Sequence, residues 1–214
     1  MTKLLRLLAA PLVAAVTLLA AVATPAHADE PPSDADLARQ WQEAWDTHKF
    51  YLNIPPAPGS GKSRAHRSIS IDINAPIGRV FDAYSDFTNH IGRAAFLKRV
   101  VTHKTWKHLG VRYNNLTAVE EVPYDGQLVT LYTHTQQRIH RALFFYETDT
   151  YSEPGVITHQ KIVFTKLGHN KTRVTEFLTF DADSTLIDFV ADNGVASHQQ
   201  TQAALKQAIE SGEL

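Results

Sequence analysis

The stretch Ser68-Ile-Ser-Ile-Asp-Ile-Asn-Ala-Pro-Ile-Gly-Arg-Val-Phe-Asp-Ala-Tyr-Ser-Asp86 decides the fold class. Its first six residues alternate, with isoleucine at every second position and Ser or Asp between them, which is the pattern of a half-buried strand. The period then changes at once: Asn74 can cap a helix, Pro76 suits a first turn, and apolar residues recur at helical spacing up to Tyr84. A strand that leads directly into a short amphipathic helix therefore opens the domain.

Most of the chain that follows has the composition of strands separated by turn signals. Short turns between successive strands indicate antiparallel pairing. A long C-terminal helix is predicted from Ser184, as its cap, to about Ser211. We predict short helices near 76–85 and 88–96, and strands near 67–73, 98–108, 111–122, 127–138, 141–151, 156–166 and 172–181. This order predicts an α+β fold in which a sheet grips a helix around a cavity.

An additional helix is predicted at Ser33–Tyr51, where Ser33 and Asp36 resemble a capping box. Trp41 and Trp45 lie on one face of it, and they either pack the helix on the main domain or form a lid over a pocket mouth. A Pro/Gly-rich linker follows, so we assign residues 29–64 to this helix and linker and residues 65–214 to the main domain.

Residues 1–28 have the features of a cleavable signal peptide. Lys3 and Arg6 give a positive start, an apolar run covers residues 7–23, and Ala26-His-Ala28 fits the small-x-small cleavage pattern. The sequence therefore predicts a secreted or extracytoplasmic protein of bacterial style, without stable membrane insertion after cleavage. An uncleaved membrane anchor is the alternative, but the run is short and alanine-rich.

The composition narrows the functional classes. Without the first 28 residues the chain keeps 19 basic and 22 acidic residues, which is not the basic balance of a nucleic-acid-binding protein. It has no cysteine, and its histidines form neither His-x-His nor His-x-x-x-His pairs. We therefore expect no disulfide, no metal site and no cofactor. The sequence does not predict an oligomeric state.

Glu176 is the most informative polar residue. It shares a face of the last predicted strand with Val174, Leu178 and Phe180. If the preceding turn is centred on His169, Glu176 lies opposite Ile162, with Gln160 one diagonal step away. A carboxylate among apolar neighbours needs a hydrogen-bond partner or has a raised pKa. It is therefore a candidate cavity acid/base or ligand anchor, unless it forms a structural ion pair or a one-residue slip turns it outward.

His198 is the second candidate, because it lies on the apolar stripe of the long helix. It is either a satisfied core residue or a polar contact in the cavity. Glu176 and His198 would be the catalytic pair if the protein is an enzyme; otherwise no catalytic residue is predicted. The residues predicted to bind a ligand are Gln160, Ile162, Phe164, Glu176, Leu178, Phe180, Val190 and His198, and Leu205 is predicted to line the same cavity.

The chain resembles the START-like superfamily, also called SRPBCC, which includes polyketide cyclases/dehydrases and lipid-transfer proteins. The resemblance covers about residues 66–212 and rests on Ile71–Asp86, on the hairpin formed by Ile157–Phe164 and Thr172–Phe180, and on the helix end Ala204–Glu210. It implies the helix-grip fold: a curved antiparallel sheet wrapped around the long C-terminal helix, with an apolar cavity between them. It carries over no catalytic set, and the superfamily includes both carriers and enzymes.

Three functions are compatible with the sequence. The first is an exported protein that binds a hydrophobic or amphipathic small molecule, such as a lipid, polyketide or sterol-like compound, in an internal cavity. The second is a cyclase or dehydratase-type enzyme in which Glu176 and a histidine move protons in a dry pocket. The third is an interaction domain with a filled core. A cavity with one isolated polar group favours binding, and a converging acid/base pair favours catalysis.

The leader generates a first prediction. The mature protein begins at about Asp29 and lies outside the cytoplasm, because Ala26-His-Ala28 follows the apolar run directly. Amino-terminal sequencing of the protein recovered from outside the cytoplasm checks this expectation. Recovery of exported protein that retains Met1 would contradict it.

Overall fold

The structure is a computed structural model that describes residues 31–124 and 127–214. The predicted leader therefore lies outside the described residues. Three helices are α1 (Asp34–His48), α2 (Ile77–Ser85) and α3 (Ile187–Ser211). The strands are β1 (Lys62–Ile73), β2 (Leu97–His108), β3 (Val111–Tyr124), β4 (Gln127–His140), β5 (Phe145–Ser152), β6 (Val156–Gly168) and β7 (Lys171–Asp183).

The seven strands of the described residues form one antiparallel sheet in the order β1-β7-β6-β5-β4-β3-β2. Every neighbouring pair except β1 and β7 is joined by a short connection, because the chain turns back after each strand. The first strand pairs with the last, which leaves β1 and β2 at the two edges. The sheet curves around α3, so the predicted α+β helix-grip fold is confirmed.

The inner face of the sheet carries two apolar cores beside α3. The first lies where α2 packs over the sheet, and its buried residues include Phe81, Ile162, Phe164 and Val174 together with Leu205 of α3. The second lies near the start of α3, around Leu178, Phe180 and Ala191. None of the helices in the described part of the chain combines the length and apolar character that a membrane span needs.

Helix α1 packs on the outer face of the sheet. Its predicted capping box is present, with Asp36 N–H donating to Ser33 Oγ and the Asp36 carboxylate accepting from Ser33 N–H. Trp41 is buried against Tyr151, and its indole Nε1 donates to the carbonyl oxygen of Thr135 at 2.9 Å. The tryptophans therefore pack the helix on the domain, as the first of the two alternatives predicted, and do not cover the inner cavity.

Several element bounds differ from the sequence prediction. β1 begins at Lys62 rather than 67, because its pairing with β7 continues through the bidentate ion pair of Arg64 and Asp181. β5 begins only at Phe145, because a single 3-10 turn occupies Arg141–Leu143. The second short helix is likewise reduced to the 3-10 turn Phe87–His90.

The predicted cap of α3 is also wrong. The helix begins at Ile187, and its N-cap residue Leu186 has no side-chain cap hydrogen bond. The Ser184 hydroxyl lies 2.8 Å from the hydroxyl of Ser63 instead, so it joins the end of β7 to the start of β1.

Gly194 has a packing role in α3. A Cβ placed on it would lie 2.7 Å from two carbons of the Phe180 ring, which is itself buried. Glycine therefore lets the helix approach the sheet closely at this point. This approach has a cost, because glycine in the middle of a helix is less favourable than alanine by about 1 kcal/mol.

We predict that Gly194→Ala destabilises the protein. The gain of about 1 kcal/mol in helix propensity is smaller than the roughly 1–3 kcal/mol that overpacking a core typically costs. Gly78→Ala in α2 is the matched control, because nothing lies within 4 Å of the position that its methyl group would take, and it should be neutral or stabilising. Thermal or urea unfolding measures the stability of both variants. An equal increase in stability in both would refute the packing role of Gly194.

Candidate functional site

The pairing of β6 with β7 places Glu176 inside the protein. The observed register sets Ile162 opposite Glu176 and Gln160 opposite Leu178, as predicted from a turn centred on His169. Glu176 is only 5% exposed. The alternative of an outward-facing glutamate is therefore excluded.

A cavity of about 170 Å³ lies between the inner face of the sheet and α3. Part of its wall is apolar, but most of its side chains carry a hydroxyl, amide, imidazole or carboxylate group. The lining residues are Tyr84, Phe87, His90, Ala94, Leu97, Val100, Ala118, Glu120, Thr135, Tyr146, Thr148, Thr150, Gln160, Glu176, Ser197, His198, Thr201 and Leu205. The sequence predicted an apolar cavity, and the structure adds several polar side chains to its wall.

The Glu176 carboxylate is held by two residues of α3. Its Oε2 accepts a 2.7 Å hydrogen bond from Nδ1 of His198, and its Oε1 accepts a 2.7 Å hydrogen bond from Nε2 of Gln202. Because Nδ1 is bound to the carboxylate, Nε2 is the ring nitrogen of His198 that remains for a ligand or a proton. The two predicted candidates therefore form one hydrogen-bonded pair in the cavity wall.

The pair and a second carboxylate influence one another electrostatically. Burial alone lowers the pKa of His198, but the hydrogen bond and charge of Glu176, together with the charge of Glu120, raise it above its ordinary value. Burial raises the pKa of Glu120, although a 2.8 Å hydrogen bond from Thr133 and the charge of His198 oppose this shift. The cavity therefore contains an imidazole that favours its proton and a carboxyl group that releases its proton less readily than usual.

Two phenols complete the polar wall. Burial, followed by the negative charge of Glu176, raises the pKa of Tyr84 and of Tyr146 well above the ordinary value. Both side chains are buried, at 1% and 3% exposure. They are therefore neutral hydroxyl groups near neutral pH, and the Tyr84 hydroxyl donates a long hydrogen bond of 3.5 Å to the carbonyl oxygen of Gln202.

The structure separates the predicted site residues into two groups. Gln160, Glu176, His198 and Leu205 line the cavity. The other five pack in the two cores beside it: Ile162, Phe164, Leu178, Phe180 and Val190. The prediction that these five line the cavity is wrong, because α2 and the start of α3 cover them. Contact of any of these residues with a ligand stays a prediction.

The sequence analysis did not identify the residues of β3 and β5 that line the cavity, among them Glu120, Tyr146 and Thr148. A signal for the residues of β5 was present in the turn Glu153-Pro-Gly155. Counting outward from Pro154 pairs Ile162 with Tyr146 and Gln160 with Thr148, which is the observed register. This pairing shows that Tyr146 and Thr148 lie on the same face of the sheet as Ile162 and Gln160.

A second concavity, a groove of about 400 Å³, lies on the outer face between α1 and β4. His134 lines it, and burial lowers the pKa of His134 to about 4. Its Nδ1 lies 3.0 Å from the Thr117 hydroxyl rather than beside a carboxylate. We locate the candidate site in the inner cavity because its titratable groups converge there. No cluster of metal-ligating side chains occurs among residues 31–124 and 127–214.

Comparison with known proteins supports the fold. The chain is similar to the Zhui aromatase/cyclase from Streptomyces sp. R1128, with 13% identity over 70% of this chain and 93% of that one and a TM-score of 0.51. Ara h 8.0201 is 15% identical over 70% of this chain and 99% of its own, with a TM-score of 0.52. A START superfamily protein from Mycobacterium smegmatis is 15% identical over 68% of this chain and 97% of its own, with a TM-score of 0.50.

These likenesses confirm that the chain has the START/polyketide cyclase fold, which the sequence resemblance predicted. At 13–15% identity they show the fold alone. No family model matches the chain, and no curated protein is significantly similar to it.

The Glu176–His198 pair generates a prediction about pH. The raised pKa of His198 stabilises the folded state below the ordinary histidine pKa of about 6.5, and this contribution is lost as the pH rises through the folded pKa. Glu176→Gln removes the charge, so the pKa of His198 should fall. An NMR titration of the His198 ring measures it.

The same variant should keep its hydrogen bonds, because the introduced glutamine amide can accept from Gln202 and donate to neutral His198. We therefore expect a change of roughly 1 kcal/mol or less in the free energy of unfolding at pH 8. At pH 6 the free energy of unfolding of the wild type should be higher than that of the variant, because protonated His198 is stabilised only by the charged carboxylate. An unchanged pKa of His198 would show that the pair does not control its protonation.

Proposed function

We propose that this protein binds a small amphipathic molecule with oxygen-containing groups in the inner cavity. The observation that carries the proposal is the cavity between the sheet and α3, with the His198–Glu176 pair in its wall. A charged pair in the interior is destabilising unless its groups are well partnered. A ligand that contacts Nε2 of His198 supplies such a partner.

The size and polarity of the cavity support a compact ligand. Ligand pockets usually measure about 300–1,000 Å³, and an engineered apolar cavity of about 150 Å³ takes up benzene. A volume of about 170 Å³ is thus suited to a single ring or a chain of similar size. Among the classes expected from the sequence, a small polyketide-like compound fits this wall better than an acyl lipid or a sterol.

Catalysis is the second candidate, and one observation favours it. A converging acid/base pair is the feature expected of an enzyme, and Glu176 and His198 meet at 2.7 Å. Glu176 orients His198 so that Nε2 can accept or donate a proton, and Glu120 in the same wall is a second titratable group. A proton-transfer reaction, as in a cyclase or dehydratase, would use the same bound molecule.

The interaction-domain alternative loses its main support, because a filled core was the feature that favoured it. Export remains part of the proposal on the strength of the leader sequence alone. We infer that the protein meets its ligand outside the cytoplasm, where an absence of cysteine is compatible with an oxidising environment.

Blocking each concavity in turn tests the proposal. Ala118→Phe fills the inner cavity, and Thr130→Phe fills the outer groove. The protein is purified from its own host, and native mass spectrometry measures the mass of any retained small molecule. We expect the wild type and Thr130→Phe to retain it and Ala118→Phe to lose it.

The opposite pattern would assign the ligand to the outer groove, and a wild type without any retained molecule would count against binding. Glu176→Gln then separates the two candidates. If the protein is a carrier, this variant should retain the molecule unchanged in structure but bound more weakly. If it is an enzyme, the bound molecule should differ chemically between wild type and variant.

A further inference from the structure

Thr148 has an unusual environment at the floor of the inner cavity. It lies on the inner face of β5 and lines the cavity, yet it is only 1% exposed. Its hydroxyl oxygen is buried and has no hydrogen-bond partner among the described residues. A buried polar group without a partner costs about 1–3 kcal/mol, so such a hydroxyl points to a function.

Two glutamines flank Thr148 on the neighbouring strands, and neither bonds to its hydroxyl in the described part of the chain. On β4 its neighbour is Gln137, whose amide is already used: Oε1 accepts from Asn114 at 2.8 Å and Nε2 donates to the carbonyl of Ser85 at 2.9 Å. On β6 its neighbour is Gln160, which also lines the cavity. A hydroxyl and an amide therefore lie side by side on the cavity floor.

We infer that Thr148 and Gln160 form a polar subsite that binds a carbonyl oxygen of the ligand. The inference rests on the proposed function and specifies its ligand class. A carbonyl oxygen has two lone pairs, so it can accept from the Thr148 hydroxyl and from the Gln160 amide at once. The subsite is separate from His198, which contacts the ligand through its remaining ring nitrogen.

The charges of the cavity favour a neutral acceptor over a carboxylate. Glu176 and Glu120 both line the wall, and His198 offsets them when it is protonated. A further anion would meet like charges in a poorly solvated space. The ligand class that follows is a compact ketone, aldehyde or neutral carbonyl compound with a hydroxyl group elsewhere on its ring or chain.

The first test needs no ligand. Thr148→Val keeps the shape of the side chain and removes the hydroxyl, so the Tm should stay the same or rise. Thr172→Val is the matched control, because Thr172 is equally buried but donates a 2.9 Å hydrogen bond to the carbonyl of Ala75. It should lower the Tm by roughly 2–4 °C. An equal fall in both variants would mean that the Thr148 hydroxyl is structurally satisfied, which overturns the inference.

The second test compares two probes that differ only at the carbonyl group. 4-Hydroxyacetophenone has C=O where its isostere 4-isopropenylphenol has C=CH₂, and calorimetry measures both affinities. The wild type should prefer the ketone, and Thr148→Val should reduce that preference about five- to tenfold, which corresponds to one lost hydrogen bond. Gln160→Leu should reduce it similarly.

The outcomes distinguish this inference from the proposed function. If both probes bind in the cavity with equal affinity, or if the preference survives in Thr148→Val, the carbonyl subsite is refuted while the binding function stands. Ala118→Phe shows whether binding occurs in the cavity, because it should abolish binding of both probes. If neither probe binds the wild type at millimolar concentration, the carbonyl class is wrong for this cavity.

Discussion

The buried carboxylate of Glu176 is the constraint on which the cavity depends. A charge in the interior is tolerated only when its lone pairs are used, and here both oxygens accept hydrogen bonds from α3. These bonds fix the rotation of α3 about its axis, because His198 and Gln202 are four residues apart and occupy one face. The orientation of the long helix and the position of the polar wall therefore have the same cause.

The close approach at Gly194 acts together with this pair. Gly194 lies one helical turn before His198, and it contacts Phe180, which lies four residues after Glu176 on the same face of β7. The helix thus approaches the sheet closely at Gly194, and one turn later His198 binds it to the sheet through a hydrogen bond. The cavity lies beside these contacts, and its wall carries hydroxyl and amide groups besides apolar side chains.

The sequence predicted the fold better than the site, and the reason lies in what each depends on. Alternation in Ser68–Ile73 and the turn around His169 are local signals, and they sufficed for the strands and for the inward position of Glu176. The faces of β3 and β5 depend on pairings between strands, which no pattern within either strand determines, so Glu120 and Thr148 were missed. The packing of Ile162 and Phe164 under α2 is a tertiary contact with no local pattern.

Local propensity likewise failed at Ser184, a good capping residue by type, because its hydroxyl contacts Ser63 and the helix begins three residues later.

Thr135 links the two faces of the sheet. Its side chain lines the inner cavity, and its carbonyl oxygen accepts the indole N–H of Trp41 on the outer face. Trp41 in turn stacks on Trp45 at a centroid distance of 4.9 Å. The indole emission of this pair depends on its hydrogen bonding and stacking, so a displacement of β4 from the inside changes a signal on the outside. Tryptophan fluorescence is therefore the signal, free of any attached dye, in which such a displacement of β4 would be visible.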